Sequence, residues 1–319
     1  MKRIAVVTSG GDAPGMNAAI RSVVRIGYTK GIEIIGVYSG FKGIIEDQFA
    51  SLLPRDVSGL LEKGGTILQT SRTEEFKEED VQYKTIEKMK KQGIEGLIII
   101  GGNGSQSGNL ALAKKGFPVI GVASTIDNDL WGIDYTIGFD TAVNTAIQAI
   151  DKIRDTATSH ARTFIIEVMG RDRGFIAIDA GIASGADIVL IPEIKFDIDK
   201  IIYNIKEGIE KKKKHHMIVC AEGAIRANEL EKIIESYLDI DVRVSVLGYI
   251  QRGGSPTRFD RIIATLFGER ALSELIAGNS GKVVGIRGNN IVIVDVADAV
   301  SKYKKINYSL YNLVEEVSV

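Results

Sequence analysis

Short apolar segments alternate with amphipathic helical patterns along the chain, and this alternation restricts the fold more than any other feature. Residues 4–8, 96–100 and 118–122 are continuous apolar runs, which are typical of parallel strands covered on both faces. Helical patterns over residues 16–30 and 79–92 lie between these runs. The alternation predicts doubly wound, mostly parallel sheets with helices on both faces.

The remaining elements follow from the same periodicities. Residues 41–46 are expected to be a short connection and residues 56–63 a weak helix. Residues 101–108 are expected to form a glycine-rich turn before a helix that ends near residue 114. Further strands are predicted at 33–39, 163–168, 188–191, 217–220 and 242–247, and further helices at 139–159, 174–184, 197–213 and 229–238.

The composition indicates a soluble globular protein and limits its partners. The chain has 319 residues, of which 45% are hydrophobic and 25% charged, and its formal net charge is -1. This balance provides no field that would gather nucleic acid or an anionic membrane. We expect no signal peptide, and no run of about 18 apolar residues occurs. The single cysteine, Cys220, lies in an apolar run. We expect a cytoplasmic protein that binds neither nucleic acid nor membrane and has a buried, unreactive thiol.

Two glycine-rich turns follow apolar strands and precede helices. In residues 9–15, the N–H groups of Gly10 and Gly11 are expected to be free to bind phosphate at the positive end of the next helix. In residues 101–108, four glycines allow close approach of a polyphosphate. Structural turns without a ligand would have the same composition. Neither turn has the Walker or the Gly-x-Gly-x-x-Gly spacing, which disfavours a nicotinamide cofactor.

Thr125, Asp127 and Asp129 follow the apolar strand at residues 118–122. Ligands bind at the carboxyl edge of strands in open α/β sheets, so these side chains are expected at a ligand site. In an extended segment, Asp127 and Asp129 point in the same direction, and their charges repel unless a cation lies between them. A loop with two solvated aspartates is the alternative.

Polar residues follow three later strands as well. Arg171, Glu222 and Arg252 each lie just beyond a predicted strand. If these strand ends face one cleft, the arginines suit a phosphate and the carboxylate suits a hydroxyl, as in a phosphorylated polyol. Each residue alone is equally compatible with a surface charge.

The basic run at residues 211–216 has two interpretations. It is either a solvated helix end or a second anion site, together with Arg21, Arg25 and Arg154. The three histidines lack the spacing of metal ligands, and no Gly-x-Ser-x-Gly motif occurs. Zinc chemistry and triad hydrolysis are therefore disfavoured.

Seven longer motifs are distributed along the chain. They are Thr8-Ser-Gly-Gly-Asp-Ala-Pro-Gly-Met-Asn17, Gly64-Gly-Thr66, Thr125-Ile-Asp-Asn-Asp129, Ile137-Gly-Phe-Asp-Thr141, Asp155-Thr-Ala-Thr-Ser-His160, Glu167-Val-Met-Gly-Arg171 and Leu247-Gly-Tyr-Ile-Gln-Arg-Gly-Gly-Ser-Pro256. In content and order they are similar to the motifs of bacterial 6-phosphofructokinases. The chain resembles this family over essentially its full length.

The resemblance implies transfer of the ATP γ-phosphoryl group to the 1-hydroxyl of fructose 6-phosphate in glycolysis, with Mg²⁺ as cofactor. Asp127 would be the base that takes the hydroxyl proton. Asp129 would help to hold Mg²⁺, and Asn103 occupies the other metal position. The groups that would stabilise the transferred phosphoryl group are Thr125, Arg171, Arg72 and the Gly11 amide.

The resemblance also implies three binding sites. The sugar-phosphate site would comprise Asp129, Arg162, Met169, Gly170, Glu222, Arg243, Tyr249 and Arg252, with Arg162 and Arg243 reaching in from a neighbouring subunit. The ATP/ADP site would comprise Gly11, Phe41, Arg72, Thr73, Gly102, Asn103, Gly104, Ser105 and Gly108. A site for a nucleotide or phosphoenolpyruvate effector would comprise Arg21, Arg25, Arg154, Gly185, Asp187, Lys211, Lys213, Lys214 and His215.

The family architecture implies an allosteric homotetramer of two-domain subunits. Each subunit would have two doubly wound, mostly parallel α/β/α sandwich domains, with the active site in the cleft between them. The larger, ATP-binding domain would comprise residues 1–138 and 251–301. The smaller, sugar-phosphate-binding domain would comprise residues 139–250 and 302–319.

Several residues depart from the family pattern. Asn103 replaces an aspartate that usually serves the metal, which predicts that Mg²⁺ is retained but needs a higher concentration for half-saturation. Ser124 replaces the glycine of ATP enzymes, whereas Gly104 is the choice typical of those enzymes. Tyr249 replaces a histidine expected at the 6-phosphate. The alternatives are a pyrophosphate-dependent enzyme, a non-catalytic paralogue that binds nucleotide or sugar phosphate, and a nicotinamide dehydrogenase.

Overall fold

The computed structural model describes residues 1–160 and 162–317. The chain divides into two compact units, of which the first comprises Met1–Thr141 and Arg252–Lys304 and the second Ala142–Gln251 and Lys305–Val319. Each unit contains one sheet with helices packed against it. The predicted α/β class with mostly parallel sheets is therefore confirmed, whereas the function expected of each domain stays a prediction.

Eleven strands occur among the described residues. They are β1 (Arg3–Thr8), β2 (Glu33–Val37), β3 (Phe49–Leu52), β4 (Gly96–Gly101), β5 (Val119–Ala123), β6 (Thr163–Val168), β7 (Ile188–Leu190), β8 (His216–Ala221), β9 (Val242–Val246), β10 (Lys282–Arg287) and β11 (Asn290–Asp295).

Eleven α-helices accompany these strands in the described part of the chain. They are α1 (Met16–Thr29), α2 (Gly40–Ile45), α3 (Glu79–Lys91), α4 (Asn103–Lys114), α5 (Phe139–His160), α6 (Phe175–Ala183), α7 (Ile198–Glu210), α8 (Ala227–Tyr237), α9 (Arg258–Ile276), α10 (Val296–Ser301) and α11 (Tyr308–Val317). No helix within residues 1–160 and 162–317 combines the length and the apolar character that a membrane span requires.

The sheet of the first unit has the strand order β11-β10-β5-β4-β1-β2-β3. Its five inner strands are parallel, and the two edge strands, β3 and β11, run antiparallel to their neighbours. Ala5 on the inner strand β1 lies between Ile35 and Leu97. All three residues are buried, because helices cover the sheet and their side chains pack into the same hydrophobic core. The parallel order brings the loops after β1, β4 and β5 to the same edge of the sheet.

The sheet of the second unit is wholly parallel, with the order β7-β8-β6-β9. Ile165 on β6 lies between Ile218 and Val244, and its core includes residues of α7 and α8. Cys220 is buried in this core. Burial raises the pKa of its thiol to about 12, so the thiol stays protonated and unreactive, as predicted.

Two predictions for residues 40–63 are wrong. Residues 40–45 form helix α2 rather than a connection, and the chain then continues into the antiparallel strand β3, which has only four residues. Residues 56–63 form successive turns rather than a helix. Gly59 has a φ of 64°, and this left-handed backbone interrupts the helical hydrogen bonds.

Two predicted helix ends are also corrected. Helix α4 begins at Asn103, inside the stretch predicted to be a turn, so Gly104 and Gly108 are helical. Helix α7 ends at Glu210, and Lys212 has a φ of 60°. The basic run therefore follows the helix instead of forming its last turn.

Candidate active site

The glycine loop at residues 9–15 is held in place by the segment that precedes residue 72. The Thr8 hydroxyl donates to the carbonyl oxygen of Gln69 at 2.7 Å. The side-chain oxygen of Asn17 accepts from the N–H of Ile67 at 2.8 Å. Because both ends of the loop are fixed in this way, its backbone has a defined conformation.

The two glycine N–H groups of this loop differ in their bonding. The Gly10 N–H donates to the carbonyl oxygen of Ser71 at 3.2 Å, and the Thr70 hydroxyl donates to the Gly10 carbonyl oxygen. The prediction that the Gly10 N–H is free is therefore wrong. The Gly11 N–H donates to no other group among residues 1–160 and 162–317, so it is available to a ligand.

The N-terminus of α4 lies beside the strand ends of β4 and β5. A Cβ at Gly102 would lie 3.1 Å from the Cβ of Thr125, whereas a Cβ at Gly104 would have no described atom within 4 Å. The Ser105 hydroxyl is buried and donates to the carbonyl oxygen of Ser9 at 2.8 Å. The first turn of α4 contains no acidic residue. Its positive dipole end is therefore open to an anion.

The ring of Phe41 is already packed. It stacks on Phe76 with ring centroids 4.0 Å apart, and the two residues are 4% and 5% exposed. A Cβ at Gly108 would lie 2.4 Å from the Phe41 ring. The sequence contains no signal that singles out Phe76. The membership of Phe41, Thr73 and the exposed Arg72 in the ATP site stays a prediction.

The segment that contains Asp127 is a turn, so the prediction of an extended segment is wrong. Asn128 has a φ of 52°. Its side-chain amide donates to the carbonyl oxygen of Asp134, and its side-chain oxygen accepts from the N–H of Thr136. The N–H of Asp127 donates to the Thr125 hydroxyl at 3.2 Å. Asp127 is only 5% exposed. The turn at the carboxyl end of β5 therefore contains a buried aspartate whose backbone N–H binds the Thr125 hydroxyl.

Asn103 and Asp129 are in direct contact. The amide of Asn103 donates to Oδ2 of Asp129 at 2.7 Å. The other carboxylate oxygen, Oδ1, is buried and accepts no hydrogen bond from the described residues. No group of three or more His, Cys, Asp or Glu in the described part of the chain could hold a metal. One carboxylate with an unpartnered oxygen nevertheless fits Mg²⁺, which is usually held by one or two carboxylates with substrate phosphates and water.

Arg252 forms an ion pair with Asp12 in the glycine loop, although the two residues are far apart in the sequence. A Cβ at Gly11 would lie 3.1 Å from Nη2 of Arg252. The side chain of Arg252 is 21% exposed and that of Asp12 35% exposed. Asp12 was not predicted as a site residue.

In the second unit, Arg171 and Glu222 lie on neighbouring strand ends. Oε1 of Glu222 accepts from the N–H groups of Gly170 and Arg171 at 3.2 and 2.9 Å. Arg171 has a φ of 52°, and its side chain is exposed. Met169, the third predicted residue of this turn, is half-buried.

Arg162 and Arg243 share a partner. Nε of Arg162 lies 2.6 Å from Oδ2 of Asp241, and Nε of Arg243 lies 2.9 Å from Oδ1. Asp241 therefore brings the two predicted sugar-phosphate arginines together. Tyr249, another predicted residue of the sugar-phosphate site, is 78% exposed.

Several predicted effector residues of the second unit come together. Asp187 accepts from Lys213 at 2.6 Å, and Arg154 donates to the carbonyl oxygen of Gly185 at 3.2 Å. Nδ1 of His215 lies 3.1 Å from the Thr158 hydroxyl. Burial lowers the pKa of His215, and the charge of Arg154 lowers it further, while Asp187 raises it.

The other predicted effector residues belong to two segments of the chain. Lys211 pairs with Glu207 at 2.9 Å, and Lys214 is exposed. Arg21 and Arg25 lie on α1 in the first unit. Burial lowers the pKa of Arg21, and the charge of Arg25 lowers it further.

Comparison with known proteins assigns the class. A family model described as phosphofructokinase matches residues 3–275. The chain belongs to the phosphofructokinase family, and this confirms the resemblance found in the sequence.

Individual relatives are similar over the complete chain. The chain is 50% identical to the ATP-dependent 6-phosphofructokinase of Lysinibacillus sphaericus and 52% identical to that of Bacillus mycoides (strain KBAB4), with 100% of each chain covered. A phosphofructokinase structure from Saccharomyces cerevisiae has a TM-score of 0.88 at 32% identity, covering 100% of this chain and 47% of that chain. A pyrophosphate-dependent phosphofructokinase from Marinobacter aquaeolei has a TM-score of 0.87 at 22% identity, covering 97% and 86%, which shows the shared fold alone.

Proposed function

We infer that this chain transfers the γ-phosphoryl group of ATP to the 1-hydroxyl of fructose 6-phosphate, a step of glycolysis. The observation that carries this conclusion is the identity of about half of all positions with ATP-dependent 6-phosphofructokinases over the full length. The turn at Thr125 and Asp127 supports it, because it holds a buried carboxylate and a hydroxyl at the carboxyl end of a parallel strand.

Asp127 is the base in this reaction. Its carboxylate takes the proton of the sugar hydroxyl while the hydroxyl oxygen attacks the γ-phosphorus. Thr125, Arg72, Arg171 and the Gly11 N–H stabilise charge on the transferred group. The Gly11 N–H suits this role because it has no other acceptor in the described part of the chain.

Mg²⁺ offsets the negative charge of the β- and γ-phosphates when it binds with ATP. Asp129 would hold it through Oδ1 once the side chain turns this oxygen out of its buried position. Asn103 would keep Oδ2 in place through its amide. This arrangement has one carboxylate fewer than the family pattern, so these residues would hold the ion weakly.

Asn103→Asp should strengthen metal binding. It places a second carboxylate 2.7 Å from the first, and a divalent ion relieves the repulsion between them. We expect the half-saturating Mg²⁺ concentration to fall about tenfold. Asn103→Ala, which removes the amide without adding charge, is the matched control. An unchanged Mg²⁺ dependence in Asn103→Asp would refute the proposed metal site.

We also propose that the chain is a cytoplasmic homotetramer that binds a nucleotide or phosphoenolpyruvate as effector. The pairing of Arg162 and Arg243 through Asp241 supports a shared anion site that a neighbouring subunit would use. The contacts among Arg154, Asp187, Lys213 and His215 support a separate anion site in the second unit. Light scattering of the purified protein measures the oligomeric state.

A coupled assay that varies donor, acceptor and Mg²⁺ tests the proposed function. We expect turnover with ATP and fructose 6-phosphate, and none without Mg²⁺. Turnover with pyrophosphate instead of ATP would assign the chain to the pyrophosphate-dependent enzymes. Binding of both ligands without turnover would identify a non-catalytic paralogue.

A further inference from the structure

The turn after β6 has a backbone conformation that requires outside support. Gly170 has a φ of 142° and Arg171 a φ of 52°. Glycine adopts such angles readily, but an arginine adopts the left-handed region only when its surroundings stabilise it. Arg171 is exposed, and the left-handed backbone sets the direction in which its side chain leaves the turn.

Glu222 supplies this support from the neighbouring strand end. Its own N–H donates to the carbonyl oxygen of Val168 at 2.9 Å, which fixes the residue beside the turn. Its Oε1 accepts from both Gly170 and Arg171. Hydrogen bonds to an ionised carboxylate are roughly twice as strong as those between neutral groups. The contact is close, because a Cβ at Gly223 would lie 2.0 Å from the Arg171 carbonyl oxygen.

Arg226 holds the second oxygen of the same carboxylate. Its Nη1 lies 3.7 Å from Oε2 of Glu222 and 3.0 Å from Oε1 of Glu167. Glu167 is 5% exposed and also accepts from the N–H of Ala227 at 2.8 Å. The arginine thus lies between Glu222 and a buried carboxylate on β6.

We propose that Glu222 is a positioning residue that holds Arg171 in its left-handed conformation and thereby directs the guanidinium that stabilises the transferred phosphoryl group. This inference rests on the proposed function. It assigns to Glu222 a role in the transition state through Arg171, in addition to the sugar-hydroxyl contact that the family resemblance implies. Because Oε1 accepts from the two backbone N–H groups, a sugar hydroxyl would donate to Oε2, which lies 3.7 Å from Nη1 of Arg226.

Three variants test the proposal. Glu222→Ala removes both backbone bonds, whereas Glu222→Gln keeps a side-chain oxygen that can accept them. Glu229→Ala is the matched control, since it removes a carboxylate from the first turn of α8. In each variant we would measure kcat, the KM for fructose 6-phosphate, and hydrogen exchange at the amides of residues 170 and 171 in the ligand-free protein.

We expect kcat to fall about 100-fold in Glu222→Ala, since misplacement of a catalytic group by about 1 Å has this effect. Exchange at residues 170 and 171 should accelerate about tenfold. Glu222→Gln should recover most of the lost kcat, and Glu229→Ala should resemble the wild type. A higher KM with unchanged kcat in Glu222→Ala, or unchanged exchange at the two amides, would overturn the proposal. Absence of turnover in the wild type would contradict the proposed function alone. Hydrogen exchange at residues 170 and 171 tests the support by Glu222 independently, because it requires no catalysis.

Discussion

Asn128 fixes the turn that presents Asp127. A left-handed backbone at a residue other than glycine costs about 1 kcal/mol, and asparagine tolerates it best because its side chain bonds locally. Nδ2 of Asn128 donates to the carbonyl oxygen of Asp134, and Oδ1 accepts from the N–H of Thr136. The motif at residues 125–129 includes Asn128, but residue spacing does not predict its φ of 52°, which depends on these hydrogen bonds.

Asn128→Ala should destabilise the protein more than Asn128→Gly. Both variants lose two hydrogen bonds, which together contribute about 2 kcal/mol. Only alanine adds the backbone strain of about 1 kcal/mol. Urea denaturation of the two variants measures the difference. Equal stability, or a less stable glycine variant, would argue against a strained position.

Helix α9 is joined to the start of helix α5 by one buried carboxylate. Asp260 has no exposed surface, and its oxygens accept from the N–H groups of Gly138 and Thr141 and from the Thr141 hydroxyl. Burial raises its pKa from 3.8 to about 6, although the hydrogen bonds lower it. The folded protein therefore holds a proton on Asp260 more tightly than the unfolded chain does.

This raised pKa predicts a specific pH dependence of stability. The protonated form stabilises the fold below about pH 4, and the contribution is lost as pH rises through about 6. Relative to Asp260→Asn, the wild type should lose about 2 kcal/mol of unfolding free energy between pH 4.5 and pH 7. Denaturant titrations of both proteins at these pH values measure the change. A constant difference between them would mean that the pKa is not raised.

The elements that were predicted correctly have long, regular periodicities. The inner strands β1, β4 and β5 are continuous apolar runs, and α1 and α5 have clear amphipathic patterns. The short elements α2 and β3 have too few residues for a pattern. In α2, the backbone approaches so closely that only glycine fits at position 43, since a Cβ there would lie 1.6 Å from the Tyr38 carbonyl oxygen.

At the scale of the whole chain, motifs predicted which residues belong to a site but not which partners they have. Asp12 and Arg252 are 240 positions apart, and no spacing rule links them. The contact of Asp241 with Arg162 and that of Phe76 with Phe41 also join residues that are distant in the sequence. Alternation of strands and helices therefore determines the fold class, whereas the contacts of each site residue depend on the folded chain.

The central claim is that Asp127 is the base for phosphoryl transfer, and substitution at this residue tests it most directly. Asp127→Asn keeps the size of the side chain and removes its basicity. Asp134→Asn is the matched control, because Asp134 is a carboxylate of the same segment that accepts from the Gly288 N–H at 2.7 Å. We predict that kcat falls by a factor of about 10² to 10⁴ in Asp127→Asn, with little change in KM, while Asp134→Asn stays active. A kcat of Asp127→Asn within about threefold of the wild type would contradict the claim.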